Sequence, residues 1–131
     1  MVSPKLRGVN FEYRCAYLFE RFGYTWDRSG SSLGIDLKIL KDGRLCYLVN
    51  CKKTSKLGPI YLPRLEVDRL AASASRSGVQ GLVCFGFNRT PILALAIEHV
   101  RRLKGTRLSY KLYLTDGRPL AELLSGAREC G

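Results

Sequence analysis

Ser31-Ser32-Leu33-Gly34-Ile35-Asp36-Leu37-Lys38-Ile39-Leu40, a turn at Lys41-Asp42-Gly43-Arg44, and Leu48-Val49-Asn50-Cys51-Lys52-Lys53-Thr54 read as two apolar strands joined in a tight hairpin. Asp36 enters the first strand, and Asn50 and Lys52 stand near the end of the second. Side chains alternate along a strand, so Leu48, Asn50 and Lys52 share one face while Val49 and Cys51 share the other. Polar groups on strands this apolar are costly to bury without partners, which makes them candidates for a site. A carboxylate opening one strand and a lysine closing its partner could together hold a divalent metal and stabilise a phosphoryl transition state. The same residues also suit a surface hairpin, with Asp36 capping a turn and Lys52 and Lys53 beginning a solvated loop.

At 131 residues the chain fits a single domain, 1–131, with one core. No apolar run reaches the roughly 18 residues expected of a membrane span, and the N-terminus lacks the apolar block of a signal peptide, so the expectation is a soluble, cytoplasmic protein with no membrane partner. Twenty-two Lys and Arg against eleven Asp and Glu leave a formal charge of +11. A domain this basic suits a polyanion, because neutralising phosphates releases condensed counterions. The residues from Lys41 to Arg64 include six basic side chains and one acid, and those from Arg89 to Lys111 repeat that balance.

From Ser3-Pro4 onward, Phe11, Cys15, Leu18, Phe19 and Phe22 recur at helical spacing until Gly23, with Glu12 at the margin of the apolar stripe. A short strand at Tyr24-Thr25-Trp26 leads into the polar loop Arg28-Ser29-Gly30-Ser31-Ser32, whose hydroxyls, amides and guanidinium suit either phosphate contacts or a plain connector. Residues 53–61 read as a basic loop, and Pro63 precedes a helix carrying Val67, Leu70, Ala71 and Ala74 on one face. Residues 81–87 read as a buried strand, 91–97 as either strand or helix with strand favoured, 98–103 as a short helix, 107–115 as a final strand and 119–124 as a terminal helix. His99 is assigned no role. Phe85, Phe87 and the apolar residues of 91–97 suit the core or a subunit contact, with core the reading for Phe85. The order implies a mixed α/β domain, a central sheet flanked by helices.

The five cysteines, Cys15, Cys46, Cys51, Cys84 and Cys130, show no Cys-x-x-Cys spacing, which argues against zinc. The first four sit in apolar runs, which favours reduced core thiols, with a disulfide credible mainly in a thermophile's cytosol.

Gly8 followed by Glu12, Gly23 at a helix end, Arg28-Ser29 and Ser32 before Gly34-Ile35-Asp36, and a hairpin ending in Cys51-Lys52 together resemble the archaeal Holliday junction resolvases, members of the restriction-endonuclease-like superfamily. The similarity runs from Arg7 to Phe87; residues 88–131 would be extra C-terminal strands and a helix. The resemblance implies that Asp36 ligates Mg2+, that the helix carboxylate Glu12 assists, and that the backbone carbonyl of Cys51 adds a donor. It further implies that Lys52 orients the attacking water or stabilises the pentavalent phosphate, and that Ser32 touches the scissile region. Arg28, Ser29, Ser31, Lys53, Lys56 and Arg64 would contact DNA, a four-way junction or branched duplex, from a homodimer or a heterodimer with a related resolvase.

One position departs from the pattern: the family's second metal-binding glutamate falls on Asn50. A neutral amide oxygen supplies a donor without the charge that compensates for dehydrating Mg2+, so metal should be held weakly or not at all. The expectation is therefore a resolvase-like protein that binds branched DNA with impaired or lost cleavage. The alternatives are an active metal-dependent endonuclease using Glu12, Asp36 and Lys52, and a small basic RNA-binding protein.

Overall fold

A computed structural model describes residues 4–28, 34–56 and 58–126. Its elements run α1 (Pro4–Arg21), β1 (Thr25–Arg28), β2 (Leu37–Lys41), β3 (Arg44–Lys53), β4 (Ile60–Pro63), α2 (Arg64–Ser77), β5 (Gln80–Gly86), β6 (Leu93–Ala96), α3 (Ile97–Val100), β7 (Ser109–Leu112), β8 (Arg118–Pro119) and α4 (Leu120–Ser125). Six strands form a mixed sheet in the order β1-β2-β3-β5-β6-β8. The first three make an antiparallel meander, and β3 pairs in parallel with β5 across a crossover that carries β4 and α2. Asp42 and Gly43, at φ 51° and 78°, close the β2–β3 hairpin in the left-handed conformation that matches strand twist.

Alternation along the strands divides the interior in two. Leu37, Val49, Leu82 and Cys84 pack with Phe11, Cys15 and Phe19 of α1 and Leu120 and Leu124 of α4. Leu48, Val83 and Phe85 point the other way, to Val67, Leu70 and Ala74 of α2 and Ile97 and Val100 of α3. Fully burying a side chain such as Phe19 or Leu70 contributes about 1.5–3 kcal/mol, which fixes the face each helix presents. Phe87 and Leu93 are likewise buried within the second of these clusters, so they belong to this chain's own core.

Residues 53–61 depart from the basic-loop expectation, because Ile60–Pro63 pairs with Ser109–Leu112 as a separate two-stranded sheet. Its partner lies some fifty residues downstream, beyond the reach of local pattern. The ribbon is fastened to the start of α2: the Arg64 amide donates to the Leu108 carbonyl at 2.9 Å, its Nε to the Thr106 carbonyl at 3.0 Å, and its guanidinium lies 4.2 Å from the Tyr110 ring centroid. Cys15, Cys51 and Cys84 are free thiols as expected, but Cys46 is disulfide-bonded. An apolar setting reports burial of a sulfur, not its oxidation state. Among the described residues no helix is long and apolar enough to cross a membrane.

Candidate active site

The polar residues of the hairpin gather where β2 begins and β3 ends. Asp36 immediately precedes β2; its amide donates to the Val49 carbonyl at 2.8 Å, and its Oδ2 accepts from the Cys51 amide at 2.7 Å. The amide and carbonyl of a residue in an extended strand leave on the same edge, so the Cys51 carbonyl also faces the Asp36 side. Burial pushes the Asp36 carboxyl up to about 6 from an ordinary 3.8; the Cys51 amide opposes this, Glu12 and Glu66 add repulsion, and Lys52 offsets part of it. Three charged groups thus act on the Asp36 carboxylate.

Among the described residues Asn50 is the one buried polar side chain, at 2% exposure. Its Nδ2 donates to the Gly34 carbonyl at 3.2 Å and lies 3.5 Å from Glu66 Oε1. Its Oδ1 is buried and accepts no hydrogen bond among the described residues, a costly state for an amide oxygen. Lys52 Nζ donates to both oxygens of Glu66, at 3.1 and 3.2 Å. Glu66 stands in the first turn of α2, where the helix dipole favours negative charge. Gly34 completes the contact: at φ +82° it lies so close to α2 that a Cβ there would sit 2.6 Å from the Glu66 carbonyl oxygen.

Glu66 is the residue that reading the sequence passed over. It is the one acid between Asp42 and Asp68. The available signal was topological: a helix crossing from a strand to its parallel neighbour starts near the first strand's C-terminal end, which is where Lys52 lies.

Glu12, on α1, is held by Arg28, whose Nε and Nη2 lie 3.0 and 2.9 Å from Glu12 Oε2; the guanidinium also sits 5.3 Å from the Tyr13 ring centroid. Glu12 is near enough to Asp36 to push its carboxyl up. Lys53 and Lys56 are exposed on the end of β3 and the loop after it. Arg64 is instead engaged by Tyr110 and Thr106. Ser29, Ser31 and Ser32 lie outside the described residues.

A six-stranded mixed sheet flanked by helices, with an aspartate entering the second strand and a lysine closing the third, is the restriction-endonuclease-like fold. Among solved structures the chain is similar to Hjc, a Holliday junction resolvase from the archaeal hyperthermophile Archaeoglobus fulgidus, with a TM-score of 0.77 and 19% identity, covering 94% of this chain and 99% of that one. No family model matches the chain, and no curated protein matches it.

Proposed function

We propose that the protein is a metal-dependent endonuclease that cuts branched DNA, four-way junctions above all, and works as a pair of identical copies. The observation that carries this reading is the meeting of Asp36, Lys52 and a second carboxylate, Glu66, at one end of the β2–β3 hairpin. Asn50 alone suggested lost chemistry, but the negative charge missing from the strand is present beside it. The geometric likeness to an archaeal junction resolvase supports the substrate class, and the formal charge of +11 supports a phosphate-rich partner. A symmetric pair would present two sites to a symmetric junction.

The pocket suits a divalent cation. Burial and neighbouring carboxylates raise the Asp36 carboxyl to about 6, and a cation would relieve that repulsion. Among the described residues no three His, Cys, Asp or Glu side chains converge as a cage, so an ion held here would rest on one or two carboxylates and keep several waters or take substrate oxygens. Asp36, with the Cys51 carbonyl beside it and Glu12 behind, would hold the ion. The bound ion would lower the pKa of a water and polarise the phosphate. Lys52 donates a hydrogen bond to the water or to a non-bridging phosphate oxygen, stabilising charge that builds as the water oxygen bonds phosphorus and the P–O bond to the leaving strand breaks. Lys53, Lys56, Arg28 and the serines of residues 29–32 position the backbone.

The test is incubation of the purified protein with a labelled four-way junction in EDTA, Mg2+ or Mn2+, reading binding and cleavage in the same samples. Paired metal-dependent nicks that vanish in Asp36→Ala support the proposal. A stable junction complex without nicks would restore the binding-only reading, and preference for RNA would favour the third.

A further inference from the structure

We propose that Glu66, on helix α2, is the second carboxylate ligand of the cation site, in place of the acid that strand position 50 lacks, and that Asn50 is a positioning residue that holds it. The inference deepens the nuclease reading and rests on it for the role of the ion.

Three observations place Glu66 at the vacated position. Asn50 Nδ2 is 3.5 Å from Glu66 Oε1, so the carboxylate lies where a longer acidic side chain on β3 would deliver its oxygens. Lys52 Nζ donates to both Glu66 oxygens, so Glu66 is the acid paired with the site's lysine. The Asn50 amide, 98% buried by its 2% exposure, carries an Oδ1 without a partner among the described residues beside that carboxylate. An amide bracketed by the Gly34 carbonyl and Glu66 ties the Asp36 loop to α2.

A plain ion pair between Lys52 and Glu66 would be a weak reason for this arrangement. Their side chains retain 30% and 22% exposure, a setting in which pairing offsets desolvation poorly. Nor would it require the close seating of Gly34 on the Glu66 backbone, which fixes the first turn of α2 against the residues entering β2. An acid ligand can be supplied from strand or helix, since the ion senses the position and charge of the oxygens and not the chain that carries them.

The test compares the full unsubstituted chain with Glu66→Gln, Asn50→Glu and the double variant Asn50→Glu, Glu66→Gln, each checked for folding by circular dichroism. Mn2+ affinity is measured by calorimetry without DNA, and junction cleavage separately. Glutamine keeps the shape and the hydrogen bond from Lys52, so Glu66→Gln should fold while Mn2+ affinity falls about tenfold or more. The double variant, with its acid returned to the strand, should recover most of that affinity. Unchanged Mn2+ affinity in Glu66→Gln, absence of Mn2+ binding by the unsubstituted chain, or a folded double variant that fails to recover would each overturn the proposal. If the double variant does not fold, Glu66→Asp decides: a carboxylate drawn back by one methylene should weaken Mn2+ binding, and unchanged affinity overturns the inference. Cleavage by the unsubstituted chain that Glu66→Gln leaves untouched would refute the ligand role while sparing the nuclease. Glu66-dependent Mn2+ binding without cleavage of any DNA would do the reverse.

Discussion

Replacing Asp36 with asparagine should stabilise the metal-free protein above neutral pH. Asparagine keeps an oxygen to accept the Cys51 amide, now at 2.7 Å from Oδ2, and removes the charge that burial and neighbouring acids penalise. A carboxyl raised from 3.8 to about 6 carries about 3 kcal/mol at 1.36 kcal/mol per tenfold change in proton affinity. Because the group is only partly buried, solvent screening reduces this to about 1–2 kcal/mol. The raised pKa sets the sign: the folded state's advantage with a protonated Asp36 is complete below 3.8 and is lost as pH rises through about 6. In EDTA at pH 8 the variant should therefore melt about 3–8 °C above the parent in a thermal scan. The gap should close near pH 4, and Mn2+ should raise the melting temperature of the parent alone. A variant that melts at or below its parent in EDTA at pH 8 would refute the claim that Asp36 is held at a stability cost.

Three further outcomes are expected. Gly34→Ala forces a side chain onto φ +82° and against the Glu66 carbonyl, so urea denaturation should show a loss of about 1–3 kcal/mol, with Mn2+ affinity reduced as α2 retreats. Lys52→Met should change stability by no more than about 1 kcal/mol while lowering single-turnover junction cleavage about a hundredfold or more; near-normal cleavage would remove Lys52 from the chemistry. Glu12→Gln removes a charge that pushes Asp36 up, so the Asp36 carboxyl, followed by NMR, should titrate lower than in the parent.

Where sequence pattern controlled the fold, the fold was legible. The stripe through Phe11, Cys15 and Phe19 set α1, and alternation through Leu48, Val49 and Asn50 placed each side chain on the face it occupies. Asp42-Gly43 marked its own turn. Long-range pairing was not legible: Ile60–Pro63 is four residues long and ends in proline, and its partner strand gives no local sign of the match. The oxidation state of Cys46 was hidden for the same reason, since a disulfide depends on where a second sulfur arrives. Reading the site along β3 exposed the departure at Asn50 but could not show Glu66, which joins the pocket through the crossover into α2.

The clasp of Arg64 on Thr106 and Tyr110 gives the β4–β7 ribbon a reach beyond its own fold. Arg64 is two positions before Glu66, so the turn that presents the carboxylate is wedged between Gly34 on one side and Thr106, 42 places downstream, on the other. If the pocket holds a cation as proposed, loss of the Tyr110 ring would be felt as a change in its affinity, although Tyr110 contacts Arg64 and not the pocket. Selection on the pocket would then conserve a distant ribbon as its outrigger.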